Sequence, residues 1–332
     1  MASYSAIARV AGLSVSTVSR YLKGELTLKP DTESKILEAM RTLGATPPTA
    51  TVSHTVIIIV PELANPYFAS LAEALSYAAT ARGLEPHITL SGGDTKNETD
   101  IVSRLLESEH EIYGAVYVGM SKDNPHLDDL AARFPVVVAD EPIERTNTST
   151  LPFIGADNFA GAFQATNYLI SMGHTQIAHI GGPTDLLSAR QRQAGYEAAL
   201  TANSLEVDPA IMFHGPYSEK FGASVLTQFK QLSHQPTAAF ISSDIVAIGV
   251  ISAASQYSIR VPEDLSLIGF DGIKVGAWLR PQLTTIAQPI SDIAHTVFAE
   301  LTALRNGHTV TDHALPMELT IRESVIRQTN TH

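Results

Sequence analysis

The chain has 332 residues, of which 44% are hydrophobic and 17% charged; its net charge is −12 and it contains no cysteine. This composition is typical of a soluble globular protein of two or three domains, and it excludes disulfide frameworks and thiolate chemistry. Because no apolar run approaches the ~18 residues of a membrane span and the N-terminus lacks the pattern of a signal peptide, we expect a cytoplasmic protein.

Two short amphipathic segments near the N-terminus flank the turn Ala-Gly-Leu-Ser at residues 11–14. The apolar residues that recur at helical spacing are Ile7, Val10 and Ala11 in the first segment and Val18 and Leu22 in the second. Gly12 can adopt the positive φ that the corner needs, and Ser3 and Ser14 precede the segments as candidate caps. The pattern predicts a helix-turn-helix, followed by a third helix from Pro30 to about Leu43.

The second segment carries a polar, partly basic stripe opposite its apolar face. Ser16, Ser19, Arg20 and Lys23 are spaced at i, i+3, i+4 and i+7, on a helix short enough to enter a DNA major groove. The stripe favours DNA binding, although any small three-helix domain can present polar residues outward. We predict DNA contacts from Ser3, Ser14, Val15, Ser16, Thr17, Ser19, Arg20 and Lys23. Val15 would meet a thymine methyl, and Ser16, Thr17 and Arg20 would meet base edges or phosphates.

Charge is unevenly distributed along the chain. Residues 1–45 carry six basic and four acidic side chains, a net charge of +2, which leaves −14 for the remainder. A basic headpiece on an acidic body suits a DNA-binding protein, because phosphate attracts the first and repels the second. Since the headpiece charge is modest, we expect dimerisation to be needed for useful DNA affinity.

From Thr55 onward, short apolar runs alternate with amphipathic segments. Predicted strands occupy residues 56–60, 86–90, 114–118, 136–139, 153–156, 177–181, 238–242 and 265–269. Predicted helices occupy residues 66–82, 97–109, 126–132, 159–172, 187–202, 218–232, 245–256 and 290–305. Strands rich in Val and Ile that alternate with helices indicate parallel sheets. There are enough strands for two doubly wound sheets, which would bind a ligand at the carboxyl ends of the strands, in the cleft between two lobes.

Three segments resemble one protein family. The motif AxVAGLSxSTVSRYL at residues 8–22 is similar to the headpiece of the lactose-repressor/galactose-repressor (LacI/GalR) family of bacterial transcription regulators. The segments MGHTQIAHIGGP (172–183) and RVPEDLSLIGFDG (260–272) are close to signatures of that family's core. The resemblance implies an α/β protein with a small all-α helix-turn-helix headpiece and a two-lobed, periplasmic-binding-protein-like core of doubly wound parallel sheets.

The resemblance also implies the domain boundaries. We expect a DNA-binding domain at 1–44, a linker at 45–54 and an effector-binding and dimerisation core at 55–332. One lobe would comprise about 55–155 plus 290–305, and the other 156–289 plus the C-terminal segment. The linker, ATPPTATVSH, is rich in Pro and Thr and shorter than in the family, whose hinge helix has no counterpart in it.

Several residues are placed to bind a small molecule in the cleft. Asp140 and Asp271 end predicted strands, where a carboxylate can accept two hydrogen bonds from vicinal hydroxyls. By resemblance, aromatic side chains wall the cleft, and Arg192 corresponds to the family's sugar-binding arginine. The full predicted set is Tyr67, Phe68, Asp140, Ser188, Arg192, Tyr217, Ser243, Asp244 and Asp271. Three alternatives stay open: Tyr67 and Phe68 as core residues, Asp140 as an exposed loop acid, and Asp244 as a helix cap.

Together these features predict a homodimeric regulator, specifically a repressor, that binds a roughly palindromic operator in double-stranded DNA and responds to a monosaccharide or nucleoside. We expect no cofactor, metal or enzymatic activity, because the twelve histidines form no HExxH cluster and phosphate-binding and nucleophile motifs are absent. Two alternatives remain. One is a solute-binding protein, and the other is an enzyme in which Asp140 and Asp271 act as a carboxylate pair, as in a glycoside hydrolase.

Overall fold

The computed structural model describes residues 3–22, 26, 28, 30–45, 54–107, 112–120, 126–143 and 151–328. It divides into two compact units, Met1–His54 and Thr55–His332. In the part of the chain that is described, no helix is long and apolar enough to cross a membrane. Most of the predicted linker at 45–54 falls outside the described residues.

In the first unit, the headpiece, the described residues form three helices: α1 (Tyr4–Ala11), α2 (Val15–Leu22) and α3 (Pro30–Thr42). Gly12 ends α1 with φ 68°, a left-handed conformation that glycine adopts without a Cβ clash. The helices bury a small shared core of Ile7, Ala8, Ala11, Val18, Leu22, Ile36, Ala39 and Met40. Val10 was predicted in this core but is 49% exposed, because Ala8 takes the inward position on α1.

The first lobe of the second unit is built on a parallel sheet. Its strands are β1 (Thr55–Val60), β2 (Glu85–Leu90), β3 (Gly114–Tyr117), β4 (Val136–Ala139), β5 (Phe153–Ala156) and β11 (His313–Leu315), in the order β11-β5-β4-β3-β1-β2. Its helices are α4 (Pro66–Thr80), α5 (Thr95–Glu107), α6 (Leu127–Ala131) and α11 (Ile290–Arg305). Val56 and Ile58 pack towards α4 and α11, whereas Ile57 and Ile59 pack towards α5 and α6. Burial on both faces explains why β1 is a continuous apolar run.

The second lobe repeats this architecture. Its strands are β6 (Ile177–Gly181), β7 (Met212–His214), β8 (Ala238–Ile241), β9 (Ser266–Asp271), β10 (Thr284–Ala287) and β12 (Glu318–Thr320), in the order β12-β10-β9-β8-β6-β7. Only β12 among them pairs antiparallel, with β10. Helices α7 (Asn158–Ser171) and α8 (Leu187–Ala202) cover one face, and α9 (Glu219–Phe229) and α10 (Asp244–Ala254) cover the other. Gly222 brings α9 against α10 so closely that a Cβ there would lie 2.1 Å from Val246 O.

The described chain crosses between the lobes three times: after β5, after β10 and between β11 and β12. The C-terminal segment therefore gives one strand to each sheet, which corrects the prediction that it belongs to the second lobe alone. The sequence pattern also missed β7, β10, β11 and β12, because His, Thr or Glu in each of these three- or four-residue strands leaves no apolar run.

Candidate functional site

Helix α2 presents an exposed face at the surface of the headpiece. Val15, Ser16 and Arg20 are exposed, whereas Thr17 and Ser19 are partly buried. Val18 and Leu22 point the opposite way, into the core. This face combines an apolar contact, a hydroxyl and a guanidinium within two turns, which are the groups that read bases in a major groove.

Two of the predicted DNA-binding serines have a structural task as well. Ser3 begins α1 by accepting a hydrogen bond from Ala6 N at 3.3 Å, and Ser14 begins α2 by accepting one from Thr17 N at 3.0 Å. These caps satisfy backbone groups that would otherwise lack a partner. Lys23 lies outside the described residues.

In the second unit, a chain of polar contacts joins the lobes at the carboxyl ends of their strands. Tyr67, at the start of α4, has its hydroxyl against Asp140, which follows β4, and 2.9 Å from Gln288 Oε1. Gln288, which follows β10, donates its Nε2 to Asp271 Oδ1 at 2.9 Å. The structure thus brings the predicted residues Tyr67, Asp140 and Asp271 together. Gln288 was missed because β10 was missed.

Arg192 is held rigidly beside this chain. Its Nε donates to Asn158 Oδ1 at 2.8 Å, and its Nη1 donates to Ser242 O at 2.6 Å and lies 3.6 Å from Asp271 Oδ1. The guanidinium packs over the ring of Phe270, 4.0 Å from its centroid. Arg192 is only 5% exposed, so this geometry is fixed by the protein before any ligand contact.

Asp140 and Asp271 share an uncommon backbone conformation. Their φ angles are 71° and 114°, in the left-handed region that costs a residue with a side chain about 1–3 kcal/mol. Such strain persists only where surrounding contacts hold it, and Ser243 Oγ donates to Asp271 Oδ2 at 2.7 Å. Asp140 is partly buried against Tyr67, so it is not an exposed loop acid.

Asp244 does not face the cleft, which corrects its prediction as an effector ligand. Its side chain is fully buried, and its carboxylate accepts hydrogen bonds from Gly272 N and Ile273 N at 2.9 Å and from Thr285 Oγ1 at 2.7 Å. Nor does it cap α10, since these partners lie on other elements. Asp244 instead holds the turn after β9 and thereby fixes the end of the strand that carries Asp271.

Ser188 is engaged by a residue that the sequence did not indicate. Glu141, in the first lobe, accepts hydrogen bonds at Oε1 from Leu187 N (2.7 Å) and Ser188 N (3.2 Å), and at Oε2 from the Ser188 hydroxyl. Glu141 and Ser188 are 3% and 5% exposed. The Ser188 hydroxyl therefore contacts the opposite lobe, and its role as an effector ligand stays a prediction.

Beside these contacts lies a cavity of about 310 Å³ with walls from both lobes. Phe68, Met120, Leu186 and Tyr217 supply apolar and aromatic surface, and the carboxylates of Glu62 and Asp185 stand at the lining as well. The Tyr217 hydroxyl is buried and has no hydrogen-bond partner among the described residues. Phe68 and Tyr217, two of the predicted aromatic residues, thus line this cavity.

The polar centre is richer in acids than in bases. Burial raises the pKa of Asp140 to about 7, against the opposing effects of the Tyr67 hydrogen bond and Arg192. Burial also raises the pKa values of Glu141 and Asp271. Three carboxyl groups therefore face one guanidinium, and their raised pKa values indicate that a further negative charge at this centre is unfavourable.

Two family models match the chain. Residues 5–47 match bacterial regulatory proteins of the lacI family, and residues 166–325 match a periplasmic binding protein-like domain. Catabolite control protein A of Priestia megaterium is 30% identical over 327 residues, covering 96% of this chain and 97% of that protein. The HTH-type transcriptional repressor CytR of Escherichia coli (strain K12) is also 30% identical, with 96% and 94% covered.

A solved structure of the transcriptional regulator CelR in a cellobiose complex superimposes with a TM-score of 0.74 at 26% identity, covering 98% of this chain and 100% of that one. These relatives are regulators and repressors, so neither the solute-binding nor the enzyme alternative is favoured. With its helix-turn-helix headpiece and two-lobed core, the chain belongs to the lacI family of bacterial regulatory proteins and is a DNA-binding transcriptional regulator.

Proposed function

We propose that this regulator is a cytoplasmic, homodimeric repressor whose cleft binds a neutral, polyhydroxylated effector, a sugar or a nucleoside. The two α2 helices of a dimer would enter successive major grooves of a roughly palindromic operator, about one helical turn apart. Effector binding would change the closure of the lobes and hence the spacing of the two headpieces. The CytR repressor and the cellobiose complex of CelR support this combination of operator and effector.

The observation that carries the effector proposal is the composition of the polar centre, where three carboxyl groups face one guanidinium. The single proton of the Tyr67 hydroxyl faces two acceptors, on Asp140 and Gln288, and can serve one of them at a time. Arg192 already donates hydrogen bonds to Asn158 and Ser242 through Nε and Nη1. A ligand that supplies several O–H donors satisfies these oxygens, whereas a phosphate or carboxylate would add a further acceptor and a repelling charge.

The aromatic side chains of the cavity wall further restrict the class of ligand that the cleft can bind. Phe68 and Tyr217 offer apolar faces to the flat side of a sugar ring or a base, and a cavity of about 310 Å³ accepts a ligand of that size. Vicinal hydroxyls suit the carboxylates, and both monosaccharides and nucleosides carry them.

A thermal-shift panel on the full-length protein tests this effector class with matched pairs. Each neutral compound is measured beside its phosphate: ribose and ribose 5-phosphate, glucose and glucose 6-phosphate, adenosine and adenosine monophosphate, cytidine and cytidine monophosphate. A compound at about 100 times its Kd adds ~2.7 kcal/mol of stability to the core. We expect stabilisation only by the neutral member of a pair. Stabilisation by the phosphate member would contradict the charge argument.

The DNA-binding part is tested separately. An operator is selected from random duplex DNA with the full-length protein, and its affinity is then measured by fluorescence anisotropy with and without the stabilising compound. Sedimentation of the complex reports its stoichiometry, which we expect to be two chains per operator. One chain on a single half-site would contradict the dimer.

A further inference from the structure

Helix α8 lacks a cap of its own. The first backbone N–H groups of a helix have no partner within it, and neighbouring helices meet this need with the residue that precedes them. Asp157 accepts from Ala160 N at the start of α7, and Ser218 accepts from Phe221 N at the start of α9. At the same position before α8 stands Leu186, whose side chain accepts no hydrogen bond.

The missing acceptor comes from the opposite lobe. Glu141 follows β4 in the first lobe, and its carboxylate receives the N–H groups of Leu187 and Ser188 together with the Ser188 hydroxyl. These partners lie 46 and 47 residues further along the chain. A negative charge is also favoured at the positive end of a helix. Because the contact crosses between lobes, it exists only when their faces meet at this point.

Both residues of the contact between Glu141 and Ser188 lie near residues of the effector cleft. Ser188 precedes Arg192 by one turn of α8, so the helix start that Glu141 caps lies next to the turn that carries Arg192. On the other side, Asp140 is adjacent in sequence to Glu141 and contacts Tyr67. One dipeptide of the first lobe thus contacts both the polar centre and the helix that carries Arg192.

We propose that Glu141 is a positioning residue that caps α8 across the cleft and so stabilises the closed arrangement of the lobes. The inference rests on the proposed effector function of the cleft. Closure supplies the cap, and an effector that touches both lobes stabilises the same arrangement. Glu141 itself needs no contact with the effector.

The absence of cysteine allows a direct test by spin labelling of the full-length protein. Lys96, at the start of α5, and Lys220, at the start of α9, are exposed residues on opposite lobes. With K96C and K220C labelled, electron–electron resonance reports the distance between lobes for wild type, E141A and E141Q, alone and with the panel compound that gives the largest thermal shift. We expect longer distances in E141A, and a distribution close to wild type in E141Q, whose amide keeps an acceptor for the helix.

Ser218→Ala is the matched control, because it removes a helix cap that stays within the second lobe. We expect E141A to weaken binding of that panel compound about ten-fold, as fits loss of hydrogen bonds to a charged acceptor, and S218A to leave it unchanged even if the melting temperature falls. Superimposable distances in wild type and E141A under both conditions would overturn the proposal. If no panel compound stabilises wild type, the effector class fails, and the distances still decide the role of Glu141.

Discussion

Replacing Arg192 by methionine is expected to destabilise the second lobe by about 3–5 kcal/mol, the usual cost of removing one partner of a buried ion pair. The substitution keeps an unbranched side chain against the Phe270 ring and deletes the charge. It leaves Asn158 Oδ1 and Ser242 O without the Arg192 donor and the Asp271 carboxylate without its opposite charge, in a place from which water is largely excluded.

The geometry sets the size of the coupling between the two charges. At the 3.6 Å between Arg192 Nη1 and Asp271 Oδ1, the attraction is about 5 kcal/mol for an effective dielectric constant of ~20. Part of it is offset by the desolvation of both ions. In a double-mutant cycle we therefore expect R192M and D271N to be coupled by about 2 kcal/mol, so that the double variant is less destabilised than the sum of the single ones.

The assay is urea unfolding of the full-length protein followed by circular dichroism, with the core transition analysed for all four members of the cycle. Ser243 and Gln288 can still donate to the amide oxygen of an asparagine at position 271, so D271N alone should cost less than R192M. Additive effects of the two substitutions, or a cost below about 1 kcal/mol for R192M, would refute the buried-pair reasoning.

Three further predictions concern base contacts by the headpiece, the buried acid Asp244 and two glycines. Arg20→Ala should weaken specific operator binding by about 1–3 kcal/mol, and the charge-matched Arg41→Ala should weaken it less. Anisotropy titrations measure both affinities, and an equal loss of affinity in the two variants would contradict base readout by α2. The pKa of Asp244 is raised by burial to about 8 from 3.8, so the folded state retains a proton that the unfolded chain loses. The free energy of unfolding should therefore fall between about pH 4 and pH 8 by up to ~1.4 kcal/mol per pH unit. Unfolding curves of D244N should show a smaller dependence on pH. The same dependence in wild type and D244N would contradict the raised pKa of Asp244. Gly12→Ala should lower the free energy of unfolding by about 1–2 kcal/mol through its φ of 68° alone, whereas Gly222→Ala should lower it by about 2–3 kcal/mol by collision with Val246 O. Hydrogen exchange should then become faster in α1 and α2 for the first variant and in α9 and α10 for the second. Unchanged exchange in either pair of helices would refute the mechanism given for that variant.

The sequence predicted those elements whose burial leaves a long local signal. The apolar run of β1 is buried on both faces, and the polar stripe of α2 recurs at helical spacing, so both were visible within a few residues. The short strands β7 and β10 left no such signal. Because β10 was not predicted, the place of Gln288 at a strand end was not predicted either.

The sequence allowed a cleft residue to be predicted when the residue follows a strand. It did not allow this when the role of the residue depends on a partner far away in the sequence. Asp140 and Asp271 fall at strand ends, and the structure brings both to the cleft. Asp244 also follows a strand, yet its partners 28 to 41 residues away turn it inward. The role of Glu141 left no local signal, because the helix start that it caps is more than 40 residues distant.

The three crossings between the lobes have a consequence for synthesis on the ribosome. The core of the first lobe includes Val297, Phe298 and Leu301 of α11, and its sheet gains β11 only at residue 315. The sheet of the second lobe gains β12 only at residue 320. Both lobes therefore remain incomplete until nearly all of the chain has been translated, whereas the three headpiece helices are complete by residue 42. A chain that stops before residue 315 would keep the three headpiece helices and leave both sheets of the core without a complete edge strand.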